Sequence, residues 1–103
     1  MTTLRLLRKQ QHLIGFRCEG HSGYAEEGED IVCAAISSMT QFSICCAEQF
    51  SVPLVYRKDE ALLECSVMRP DSTFSGILKA LEKSVAQLAE DYPEYIRLEI
   101  MEV

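Results

Sequence analysis

Between residues 30 and 50 the chain is apolar on nearly every side of a helix, with Ile31, Val32, Ala34, Ala35, Ile36, Met39, Phe42, Ile44, Cys45, Cys46 and Ala47. A helix with so little polar surface is stable only when most of it is covered, in a core or between subunits. A chain of 103 residues supports one core. The segment therefore predicts a helix laid across a sheet, with a remaining side free to meet a partner chain.

The flanking segments supply that sheet. Thr3 to Lys9 alternates, with Leu4 and Leu6 on one face and Arg5 and Lys9 on the other, and Leu7 interrupts the pattern. Gln10-Gln11 suits a turn, and His12 to Cys18 reads as a second strand with Ile14, Phe16 and Cys18 on one face. Val52 to Arg57 predicts a strand opened by Pro53, Lys58-Asp59 a turn, and Glu60 to Met68 the returning strand with Leu62 or Leu63 inward. Asp71 caps a second helix whose apolar residues Phe74, Ile77, Leu78, Leu81, Val85, Leu88 and Tyr92 form one stripe. Ser75, Lys79, Glu82, Lys83 and Glu90 make its wet side, and Pro93 stops it. Tyr95 to Val103 alternates as a last, half-buried strand. The expected fold is α+β, with two helices packed on a mostly antiparallel or mixed sheet in the order β-β-α-β-β-α-β. Residues 1–103 are expected to form a single domain.

Composition narrows the function. The formal net charge of −6 argues against binding a phosphate backbone and favours a basic partner. No apolar run looks long enough for a bilayer span, and the first residues lack a signal-peptide core, so a cytoplasmic address without membrane contact is expected. Five cysteines, two of them adjacent and none in a C-x-x-C pair, read as thiols rather than a zinc or redox motif.

Chemistry concentrates between Gly20 and Ser38. A loop rich in glycine (Gly20, Gly23, Gly28) and carboxylates runs from His21 into the apolar helix. Asp30 is a good N-cap, which places Cys33 at the third helical position, where free amides and the helix dipole favour an anion. The thiolate is the nucleophilic form of cysteine, and a histidine across the loop can serve as its base. Two plainer readings stand beside this one: Cys33 as a small buried hydrophobe, and His21 as a turn residue. Ser37, one turn after Cys33, either faces substrate or bonds back to a carbonyl. Cys18, Cys45, Cys46 and Cys65 read as structural. Glu26, Glu27, Glu29 and Asp30 lack calcium-loop spacing and read as a solvated acidic rim. No metal or other cofactor is implied.

The strings Gly-His-Ser-Gly-Tyr-Ala (residues 20–25) and Gly-Glu-Asp-Ile-Val-Cys-Ala-Ala-Ile-Ser (residues 28–37) closely resemble the signature of the ribosomal-processing cysteine proteases called Prp. Length, opening hairpin, second helix and closing strand agree along essentially the whole chain. The resemblance implies a catalytic dyad of His21 and Cys33, with Asp30 and Ser37 in supporting positions. The loop with Gly20, Ser22, Gly23 and Gly28 reads from its residues either as a mobile lid that gates this site or as a plain surface loop. The resemblance also implies a homodimer and a peptide substrate, the N-terminal extension of large-subunit ribosomal protein number twenty-seven. Helix-start amides would then be the oxyanion donors. A non-enzymatic dimeric adaptor for basic ribosomal or assembly proteins is the alternative.

Overall fold

A computed structural model describes residues 1–26 and 28–103; Glu27, placed in the acidic rim by the sequence reading, lies outside the described residues. The elements are β1 (Thr2–Lys9), β2 (His12–Glu19), α1 (Ile31–Gln49), β3 (Val55–Asp59), β4 (Leu62–Ser66), α2 (Ser72–Asp91) and β5 (Ile96–Glu102). They follow the expected order. The five strands lie side by side as β3-β4-β2-β1-β5, antiparallel except for the β1–β5 pair, which is parallel.

One face of the sheet is apolar because alternate residues of the middle strands point to it. Leu4, Leu6, Phe16 and Cys65 are buried there together with Val32, Ile36, Ile44 and Ala47 of α1 and Phe74, Leu78, Leu81 and Val85 of α2. Both helices thus cover the same face. By length and composition α1 is long and apolar enough to reach across a bilayer, contrary to the sequence expectation. In this fold its apolar residues contribute to the protein core instead. The opposite face carries a cross-strand row of charges, Arg57, Glu64, Arg17, Arg5 and Glu99, in which Arg5 meets Glu99 at 2.8 Å and Arg57 meets Glu64 at 3.1 Å. Such half-exposed pairs contribute about 0.2–1 kcal/mol each and mainly fix register.

Four local expectations shift. The β1–β2 register slips between Leu7 and Arg8, so Leu13 fills the core and Ile14 is only half-buried. Leu13 donates its N–H to Ser75 Oγ at 3.0 Å, which buries a serine assigned to the wet side of α2. The strand after α1 starts at Val55 rather than Val52. Residues 50–52 still serve the helix end: Ser51 is left-handed (φ 57°) and Val52 bonds back to Ala47 O at 2.9 Å. The hairpin turn is Glu60-Ala61, with Ala61 left-handed at φ 54°, because the polar residues Arg57 to Asp59 are tolerated inside a fully exposed edge strand.

These connections bring distant segments to one end of the sheet. Thr3 pairs with Glu19, so the start of β1 lies beside the exit of β2. Gly20 donates to Ala61 O at 2.9 Å, which adds the β3–β4 turn. Thr2 donates to Tyr95 O at 2.9 Å, which adds the start of β5. Only glycine fits at position 20: φ is 92°, and a Cβ there would stand 2.5 Å from Met1 O. The 20–29 loop leaves from this corner and returns to it as α1.

Candidate active site

Asp30 organises the site. Its extended backbone ends the loop, and Oδ1 accepts the amides of Val32 (3.0 Å) and Cys33 (2.9 Å). Its carbonyl takes the Ala34 amide at 3.1 Å. Oδ2 accepts the hydroxyl of Ser22, whose oxygen in turn accepts the Tyr24 amide at 3.2 Å. Burial pushes the Asp30 carboxyl up, but the Ser22 hydroxyl and the amides of Cys33, Ala25 and Val32 outweigh it and hold it down at about 2. Asp30 is therefore a buried cap and loop anchor, not part of a solvated rim; Glu26 and Glu29 are exposed.

This capping narrows the expectation of unpaired helix amides. Val32, Cys33 and Ala34 already have acceptors, so none of them is free for an oxyanion. The loop supplies a different donor: Ser22 N–H points at Cys33 Sγ over 3.2 Å. The Thr2 hydroxyl lies 4.0 Å from the same sulfur. His21 is exposed and makes no hydrogen bond to it among the described contacts.

Cys33 is half-buried at the third helical position, as the cap predicts, and stands between two cavities. One, of about 270 Å³, runs between α1 and the β3–β4 hairpin, with Ile36, Cys18 and Leu63 lining it and Lys58 and Asp59 on its far wall. The other, of about 420 Å³, lies against the loop and is lined by Gly23, Ala25, Gly28, Asp30 and Ala34. Three residues line both: His21, Cys33 and Ser37. The helix hydroxyls that bond back to carbonyls are Thr40 and Ser43, which leaves Ser37 on the cavity wall. The two cavities adjoin at Cys33, and the one imidazole of the site, His21, lines both.

The loop is docked by an aromatic contact. Tyr24 meets the rings of Tyr92 and Tyr95 edge-on, with centroids 5.5 and 5.3 Å apart. The sequence alone does not mark Tyr92, Tyr95, Thr2, Cys18 or the hairpin residues as part of the site. Each arrives through strand order, which leaves no local signal in the sequence. Cys18 remains a thiol, pushed up to about 11 by burial, the nearby Cys33 and Glu19. Burial, then Glu48, does the same to Cys65. Cys45, read as structural, is exposed. Among the described residues no three His, Cys, Asp or Glu side chains gather as a metal site.

The family model of the cysteine protease Prp matches residues 1–97. The chain is also similar to solved structures. The essential ribosomal processing protease Prp from S. aureus, in complex with a covalently linked product peptide, superposes with a TM-score of 0.90 at 24% identity, covering 98% of this chain and 100% of that one. The same protease with a substrate peptide gives 0.81 at 23% identity, covering 98% and 100%. SMU.848 from Streptococcus mutans gives 0.80 at 23% identity, covering 100% and 96%. Comparison with curated protein sequences finds no match.

Proposed function

Since the chain belongs to the family of the cysteine protease Prp, we propose that it is an endopeptidase that removes the N-terminal extension of large-subunit ribosomal protein number twenty-seven in the cytoplasm. The observation that carries this reading is that two cavities, taken as the arms of one substrate cleft, share His21, Cys33 and Ser37. An extended peptide laid along both arms puts one carbonyl carbon over Cys33 Sγ. The sulfur lone pair forms the S–C bond while the carbonyl π pair moves onto oxygen. His21 holds the thiol proton, then gives it to the departing amine as the C–N bond breaks. Water, deprotonated by His21, then hydrolyses the thioester and frees the enzyme.

The loop is the gate in this scheme. Gly20, Gly23 and Gly28 all have positive φ, and no atom lies within 4 Å of where a Cβ would stand at Gly23 or Gly28. Opening at these glycines, with release of the Tyr24 ring contacts and the Ser22–Asp30 bond, would admit a peptide, and settling back over it would bring His21 to the sulfur. The negative charge of the chain (−6) favours a basic ribosomal protein as substrate. A homodimer fits the exposed Phe42 of α1 beside the shallow groove formed with Met39, Cys46 and Ile77.

Incubating the protein with the extended ribosomal protein and weighing the products by mass spectrometry tests the proposal. One internal cut is expected, and none with Cys33→Ala at unchanged melting temperature. Cleavage that survives Cys33→Ala rules the mechanism out.

A further inference from the structure

We infer that Ser22 is the positioning residue of this site, a role that rests on Cys33 being the nucleophile. Ser22 is only 2% exposed, although it lies in a loop whose neighbours His21 and Gly23 are exposed. Its side chain is spent entirely on local anchoring: the hydroxyl donates to Asp30 Oδ2, and its oxygen accepts the Tyr24 amide at 3.2 Å. With the side chain pinned in this way, the backbone N–H has one direction left, and it meets Cys33 Sγ at 3.2 Å.

The consequence is chemical. Asp30 has taken the Val32 and Cys33 amides, so the helix start does not offer those donors to an anion. The Ser22 amide supplies what they do not. A hydrogen bond to a charged acceptor is roughly twice as strong as one between neutral groups, so the contact strengthens when the thiol loses its proton. Once sulfur is bonded to the carbonyl carbon and the electron pair sits on oxygen, the same N–H is the donor beside that oxygen. His21 is the preceding residue, so the clamp that aims this amide also fixes where the imidazole starts its approach.

The test compares Ser22→Ala with the wild-type chain by two readouts: iodoacetamide labelling resolved by peptide mass mapping, and kcat and KM on the extended ribosomal protein. The exposed Cys45 serves as internal reference for labelling. Loss of the clamp should slow Cys33 labelling near neutral pH by about tenfold relative to Cys45, move its pH profile upward, and lower kcat by at least that factor with KM within about twofold. Ser22→Thr and Ser22→Val share one shape and differ by a hydroxyl, so any strain is common to both. Thr should recover most of the rate and Val should not, which decides the matter even where the alanine variant does not fold. Wild-type labelling and kcat in Ser22→Ala, or equal behaviour of the Thr and Val variants, overturns the inference. Failure of the wild-type chain to cleave overturns the protease reading instead, while the labelling comparison still decides the role of Ser22.

Discussion

Asp30→Ala removes, in one step, the acceptor of two helix amides and the partner of the Ser22 hydroxyl. Losing an N-cap of this kind costs about 1 kcal/mol. The buried Ser22 hydroxyl keeps the Tyr24 amide as a donor to it but has nowhere to send its own proton, and an unmet buried donor costs about 1–3 kcal/mol. A loss of about 2–4 kcal/mol follows, or a fall in melting temperature of roughly 8–20 °C for a chain of this size. The carboxyl gives an independent measure. Its displacement from 3.8 to about 2 corresponds to about 2 kcal/mol at most, since one edge of the group still meets water. The folded value lies below the unfolded one, so this stabilisation is complete above about pH 5 and is lost as pH falls toward 2. Urea denaturation of both proteins at pH 7 and pH 3 should therefore show the gap between them narrowing by about 1 kcal/mol at the lower pH. A gap that stays constant, or one under about 0.5 kcal/mol at pH 7, refutes the reasoning that this carboxylate joins loop to helix.

Asp30→Asn keeps an oxygen for the helix amides and turns an N–H toward Ser22 Oγ; it should lose less stability than alanine and label faster at Cys33 near neutral pH, and slower labelling would count against the electrostatic argument. Tyr24→Ala removes two edge-on ring contacts of about 0.5–1.5 kcal/mol each; cleavage should slow severalfold and the melting temperature fall by roughly 4–15 °C, Tyr24→Phe should behave as wild type, and an alanine variant at full rate would remove the ring contacts from the gating scheme. The acidic chain should capture its basic substrate by long-range attraction, so kcat/KM falls as salt is added; a flat salt profile excludes steering.

What could be read from the sequence was local in origin. Asp30 caps within three residues of itself, so the position of Cys33 in the first turn followed from the cap alone. The α2 stripe runs along one side only, and its period is visible for that reason. The shifts came where tertiary pairing decides. Lys58 and Asp59 look like turn residues but lie in an edge strand exposed on all five positions, where polarity carries no penalty. Ser75 looks solvent-facing until the bulge in the first hairpin sends the Leu13 amide to it. Thr2, Tyr92 and Tyr95 join the site only because β1 and β5 run parallel side by side, a pairing that no window of sequence encodes.

An acidic cap next to a nucleophilic sulfur is an awkward choice for chemistry. A helix start carries roughly half a positive charge, and a buried carboxylate placed on it offsets that charge and occupies its amides. The same group is what pulls Ser22 inward and holds the loop against the helix. The site thus gives up part of the helix field and gains a donor that depends on loop position. In the docked loop the Ser22 amide reaches Cys33 Sγ at 3.2 Å, so on the proposed reading an anion at Cys33 would be best supported with the loop in this position. On that proposal, substrate closure and activation of the sulfur would be one event, because a single hydrogen-bonded unit, Asp30–Ser22–Tyr24, would set both.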